Sequence, residues 1–169
     1  GIATLGLSRR IGETARVEEL DGFAEGNWWV QDVAATLPVT LMGDVAGKRV
    51  IDLCAAPGGK TLQLAARGAD VTSVELDATR AARIRENLAR MGLKADVVES
   101  DVRDFQGTAP LVLLDAPCTA TGTIRRHPDL PWIKGAADVT AQASLAYDLL
   151  ESASAMVESG GRLVFAVCS

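Results

Sequence analysis

Strand-like and helix-like segments alternate along most of this chain, and that alternation limits the folds open to it more than any other feature. Arg49 to Leu53 is short, apolar and β-branched, and Lys60 to Arg67 follows as a helix that Gly68 closes. Val71 to Leu76 reads as the next strand. Asp77 stands where an N-cap belongs, before a helix running to Met91 and ending on Gly92. Ala95 to Glu99 and Leu111 to Leu114 are two further strands, and the second is wholly apolar, as a parallel strand covered on both faces should be. Asp138 opens a helix to about Glu158, Gly160-Gly161 ends it, and Arg162 to Val167 gives a fifth strand. This order predicts an α/β, Rossmann-like, doubly wound domain with a mostly parallel sheet.

Ahead of that core, residues 1–47 read as an N-terminal extension. Residues 1–26 mix Arg9, Arg10 and Arg16 with glycines at poor periodicity and predict irregular structure. Trp28-Trp29-Val30-Gln31 reads as a short strand, and Asp32 as the cap of a helix over Val33 to Leu41. Residues 116–137 read as one long loop.

In doubly wound folds, ligands sit outside the C-terminal ends of the strands. All three cysteines fall there: Cys54 after the first core strand, Cys118 after the fourth and Cys168 after the fifth. A single cysteine is most simply a small buried hydrophobe. Three at one edge, beside Asp52, Glu75, Asp101 and Asp115, point to chemistry. With 169 residues and no secretory signal pattern, the chain suits one cytoplasmic domain with free thiols rather than a disulfide framework. No stretch approaches the roughly 20 apolar residues of a membrane span. One histidine leaves little basis for a His/Cys metal site.

The turn Cys54-Ala55-Ala56-Pro57-Gly58-Gly59-Lys60-Thr61 lacks both the P-loop spacing and Gly-x-Gly-x-x-Gly, which disfavours nucleoside-triphosphate and dinucleotide binding. Its glycines still allow close backbone approach, and a helix N-terminus suits a carboxylate. Glu75, roughly 20 residues beyond, stands where such folds set an acid against ribose hydroxyls. Asp101 follows the third core strand, where it could face an adenine edge. Taken singly, each is as readily a turn or a cap; together they match an adenosyl-type ligand. Asp115-Ala116-Pro117-Cys118 sets an acid and a thiol on a rigid turn. Arg125-Arg126-His127 adds a basic patch that could meet phosphates. A net charge of −5 argues against bulk electrostatic binding of nucleic acid, so RNA affinity would rest on such a patch or on another part of the protein.

These motifs resemble the NOL1/NOP2/Sun family of RNA (cytosine-5)-methyltransferases, with the bacterial 16S rRNA enzymes nearest. The resemblance rests on Asp52 to Thr61, Asp115 to Cys118 with Thr121-Gly122, Arg125-Arg126-His127-Pro128-Asp129, and Cys168-Ser169. It implies a class I methyltransferase fold and S-adenosyl-L-methionine as cofactor, held by Cys54, Ala55, Ala56, Pro57, Gly58, Gly59, Lys60, Glu75, Asp101 and Asp115. It implies an RNA substrate, rRNA ahead of tRNA, methylated at cytosine C5. Cys168 would be the nucleophile, Cys118 would assist product release, and Asp115 would face the base. Glu75 stands where many members have Asp, and Val167 where Thr is usual. A nucleophilic Cys168 is expected to have a depressed pKa. The family continues past Cys168 with further strands, so the chain reads as a single catalytic domain from a longer protein, with residues 48–169 its cofactor-binding core. A methyltransferase of another substrate class, and a cofactor-binding module inactive as this piece, are the competing readings. Oligomeric state and the modified cytosine are not legible.

Overall fold

A computed structural model describes residues 4–5, 8–9, 16–125 and 127–168. Two short strands, β1 (Thr4–Leu5) and β2 (Ser8–Arg9), pair antiparallel. Helix α1 (Val33–Leu41) follows, capped by Asp32, whose Oδ1 accepts from the Ala34 amide at 3.0 Å. The core then runs β3 (Arg49–Leu53), α2 (Gly59–Ala66), β4 (Asp70–Glu75), α3 (Ala78–Met91), β5 (Asp96–Glu99), β6 (Ala109–Asp115), α4 (Leu130–Ile133), α5 (Ala136–Ala155) and β7 (Val157–Ala166). Asp77 caps α3 by accepting from the Arg80 amide at 2.8 Å, and Gly92 ends it at φ 62°. A cap of either kind contributes roughly 1 kcal/mol.

The five core strands form one parallel sheet in the order β5-β4-β3-β6-β7. The alternating pattern along β3 and β6 explains the layering. Ile51, Leu53, Val112 and Leu114 point to one face, where Leu149 and Ala153 of α5 cover them. Val50, Leu111 and Leu113 point to the other, against Val39 and Met42 and against Leu64 of α2. The chain winds outward from β3 to β5, then returns to start β6 on the other side of β3. That reversal opens a crevice between the ends of β3 and β6.

Three sequence expectations fail. Trp28 to Gln31 is not a strand; it lies across helices rather than beside a sheet edge. Trp29 packs with Leu62, Ile84 and Leu88, and its indole donates to Gln31 Oε1 at 3.0 Å. Arg90 holds the segment down, donating to the Phe23 and Trp28 carbonyls at 2.7 and 3.1 Å while lying over the Phe23 ring. The last strand also begins earlier than its sequence suggests. It starts at Val157, opposite Ala109, and resumes with Arg162 opposite Leu111. The residues between bulge outward, with Gly160 at φ 78°. A Cβ on Gly161 would stand 2.6 Å from the Pro110 carbonyl oxygen. The predicted loop 116–137 holds a 3-10 turn at Thr121–Thr123 as well as α4.

Candidate active site

The crevice holds a cavity of about 740 Å³, within the range of small-ligand sites. Cys54, Ala56 and Lys60 line it from the turn after β3, Glu75 and Arg80 from the end of β4 and the start of α3, and Asp101 and Arg103 from the segment after β5. Asp115, Cys118 and Cys168 close the far side.

Cys118 and Cys168 face each other with their sulfurs 3.0 Å apart, and either can donate to the other. Backbone geometry sets this. Ala116 N–H donates to the Ala166 carbonyl at 3.0 Å, extending the β6–β7 ladder. Gly122 N–H then donates to the Cys168 carbonyl at 2.7 Å, tying the loop after Cys118 to the tail of β7. A Cβ at position 122 would collide with that carbonyl oxygen, so only glycine permits the contact. Ala120, left-handed at φ 60°, turns its amide toward Cys118 Sγ at 3.4 Å.

The depressed pKa expected of Cys168 is not found. Partial burial of its sulfur, then the hydrogen bond and charge of Cys118 and the charge of Asp115, push the thiol up to about 11. At rest it is protonated. Cys54 is pushed up to about 12, first by burial and then by Glu75, Asp52 and Asp115. It packs against the core beneath the crevice and behaves as the small hydrophobe that the simplest reading assigned it.

Lys60 crosses the crevice. Its Nζ donates to Asp115 Oδ2 at 2.5 Å, and both side chains are largely shielded, at 14% and 32% exposure. Beneath this pair, Asp52 is fully buried. Burial raises its pKa to about 7, against the lowering effects of the Thr61 hydrogen bond and Lys60. Thr61 Oγ1 donates to Asp52 Oδ2 at 2.6 Å, while Oδ1 meets no hydrogen-bond partner among the described residues.

Glu75 is a buried acid on the cavity wall, anchored by backbone amides. Its Oε2 accepts from the Ala56 amide at 3.1 Å, and its Oε1 from the Asp77 amide at 3.2 Å. Asp101 is held by Arg103, which donates from N and Nε to Oδ1, both at 2.9 Å, and from Nη2 to Oδ2 at 2.5 Å. These bonds hold the Asp101 carboxyl down at about 2, so it is an anion throughout the neutral range.

Not every sequence candidate reaches the cavity. Ala55, Pro57, Gly58 and Gly59 shape the turn but are not part of its wall. Gly58, at φ 102°, has a conformation and a fit against Ile84 that suit glycine. Arg125 and His127 are exposed on the loop beyond Cys118; Arg126 and Ser169 lie outside the described residues. Sequence reasoning missed Arg80, Arg103 and the spacer role of Gly122. Arg103 had a local signal, since an Asp two residues before an Arg is a common turn pairing. Arg80 and Gly122 had none: Arg80 reaches back past the strand end to Glu75 and Ala56, and Gly122 meets Cys168, 46 residues on. No group of three or more His, Cys, Asp or Glu among the described residues is placed to hold a metal ion.

Known proteins resemble this chain in sequence and fold. A family model described as 16S rRNA methyltransferase RsmB/F matches residues 39–169. Ribosomal RNA small subunit methyltransferase B of Vibrio cholerae is 45% identical over 160 residues, 90% of this chain and 37% of that protein. The protein of the same name from Pseudomonas syringae pv. tomato is 43% identical, over 94% of this chain and 37% of its own length. The structure of NSun6 from Pyrococcus horikoshii with SFG superposes at a TM-score of 0.84 with 28% identity, covering 92% of this chain and 41% of that one. The chain thus spans less than two fifths of these curated relatives. The matched residues, 39–169, run from within α1 past the end of β7, and the match settles the kinship: the chain belongs to the 16S rRNA methyltransferase RsmB/F family.

Proposed function

We propose that this chain is the catalytic core of an enzyme that methylates cytosine C5 in RNA, with rRNA the substrate ahead of tRNA, in the cytoplasm. The observation that carries the reading is the pair of facing thiols, Cys118 and Cys168, on the rim of a cavity whose inner wall bears Glu75, Asp101 and Asp115. One catalytic unit is proposed, with residues 1–47 as extension and 48–169 as the cofactor-binding core of a longer protein.

The cavity suits S-adenosyl-L-methionine by its donor set. Glu75 would take a ribose hydroxyl, and Asp101, with Arg103 behind it, would face the adenine. The start of α2, beside Lys60, would favour the carboxylate of the amino-acid end. Leu145 and Leu149 offer apolar wall between polar ends. When bound, the cofactor supplies a methyl group as an electrophile on a sulfonium.

A target cytosine must leave its stack to reach thiols set at the end of a parallel sheet. The Cys168 thiolate then bonds to C6, and the electrons of the C5–C6 double bond move toward C5 and N3. Asp115 would accept a hydrogen bond from the exocyclic amine, and the Lys60 ammonium paired with it would offset the negative charge that gathers toward N3. C5 takes the methyl with its new electron pair. Cys118, deprotonated by this stage, accepts the C5 proton; the double bond re-forms and Cys168 leaves as thiolate. Each thiol loses its proton to solvent before its step. With Cys168 titrating near 11 in the free protein, substrate binding has to lower that value.

Tritiated methyl transfer to rRNA by the purified protein tests the reading. Wild type is expected to label cytosine C5, and Cys168→Ala to abolish the label. Transfer that survives Cys168→Ala overturns the nucleophile; cofactor binding without transfer in the full-length protein favours a non-catalytic module.

A further inference from the structure

Arg80 belongs to none of the roles above, yet it stands on the cavity wall between two of its elements. It lies in the first turn of α3, and its guanidinium reaches back across the end of the sheet. Nη1 donates to Glu75 Oε1 at 3.3 Å and Nη2 to the Ala56 carbonyl at 3.1 Å. The Ala56 amide, in turn, donates to Glu75 Oε2. Glu75, Ala56 and Arg80 thus form a closed ring of hydrogen bonds joining the turn after β3 to the end of β4. The Glu75 side chain is only 3% exposed, whereas that of Arg80 is 55% exposed. Most of the arginine therefore faces the crevice or solvent, and its polar end alone is committed.

A carboxylate offers about four acceptor positions. At Glu75, the Ala56 amide, the Asp77 amide and Arg80 fill three of them, two on Oε1 and one on Oε2. The position left open is on Oε2. We propose that Arg80 is a positioning residue for ribose recognition: its fork fixes the Glu75 carboxylate so that one open acceptor on Oε2 takes one ribose hydroxyl of the cofactor. This rests on the S-adenosyl-L-methionine reading above. Two acceptors at a fixed separation suit the planar guanidinium, and a lysine ammonium does not span them in the same way.

Calorimetry of the purified protein with S-adenosylhomocysteine and its 2′-deoxy and 3′-deoxy forms tests this. Wild type should lose roughly tenfold or more in affinity on removal of one of the two hydroxyls, the scale of a hydrogen bond to a charged group, and little on removal of the other. In Arg80→Ala the parent should weaken to near the affinity of the sensitive deoxy form, so that the discrimination collapses. Arg80→Lys should not restore it. Arg85→Ala, on the same helix but paired with Glu99 away from the cavity, should discriminate as wild type does, and thermal melts of all variants show whether the fold is kept. Discrimination retained in folded Arg80→Ala overturns the proposal alone, as does full restoration by Arg80→Lys. A wild type that binds none of the three ligands overturns the cofactor reading, and this proposal with it.

Discussion

The sulfurs of Cys118 and Cys168 stand 3.0 Å apart although 50 residues separate them in sequence. Treatment with diamide should therefore close a disulfide between these two and leave Cys54 reduced. Peptide mapping after alkylation would check it; a link involving Cys54 would contradict the geometry, because it is the Cys118 and Cys168 sulfurs that face each other.

Burial of the Cys168 sulfur, and then this contact, set a pH dependence. With the Cys168 pKa raised to about 11, the thiolate is scarce at neutral pH and grows as pH rises toward that value. Alkylation of Cys168 should be slow near pH 7 and accelerate steeply on the alkaline side. Cys118→Ala removes both the hydrogen bond and the charge that raise the value, so its rate profile should move to lower pH. An unmoved profile would mean that Cys118 does not control the titration.

Asp52 predicts a second pH dependence, of stability. Its folded pKa is about 7 against an ordinary 3.8, so the folded state binds the proton more tightly than the unfolded chain does. The associated stability is fully present below about pH 4 and is lost as pH rises through about 7. At 1.36 kcal/mol per unit, the upper bound is roughly 4 kcal/mol. Urea unfolding at pH 5 and pH 8 should show this slope in wild type and a flatter one in Asp52→Asn.

Gly122→Ala should cost about 1–3 kcal/mol, because the added methyl must displace the Cys168 carbonyl. Its larger effect should be local. Diamide closure of the Cys118–Cys168 bond should slow, by about an order of magnitude if the strain falls on their approach, while circular dichroism stays that of wild type. Equal closure rates would show that the tail of β7 adjusts freely.

Lys60 and Asp115 are more shielded than a surface pair, so their coupling should exceed the 0–1 kcal/mol of exposed ion pairs and approach about 2 kcal/mol. Denaturation of Lys60→Met, Asp115→Asn and the double variant gives the number as a double-mutant cycle.

Much of this was readable in the chain itself. The strands and their order of appearance follow from short β-branched runs, and the starts of α1 and α3 from Asp32 and Asp77, since these signals act over a few residues. The gathering of Cys118, Cys168 and Asp115 at one edge also follows, because parallel strands bring all their C-terminal ends together. What escaped depends on partners far along the chain. Trp28 to Gln31 has strand-like residues, but Arg90 and the face of α2–α3 decide its conformation. Lys60 looks like part of a glycine turn, and only the crossover from β3 to β6 shows that Asp115 is its partner. The Cys168 titration depends on the sulfur opposite, which no local pattern reveals.

The bulge in β7 has a consequence for how this chain tolerates insertions and deletions. Between Val157 and Arg162 the last strand advances five residues while β6 advances two, from Ala109 to Leu111. Val157 before the excess and Leu163 after it both pack on the α5 side, so β7 keeps its period-two alternation while its register on β6 shifts by three residues. Everything downstream, including the thiol two residues past Ala166, inherits that register. Losing or gaining one residue among 158–161 would leave the composition of β7 nearly untouched, yet turn Cys168 away from Cys118. The glycine pair thus acts as a register setting for the Cys168 thiol, which follows Gly161 by seven residues.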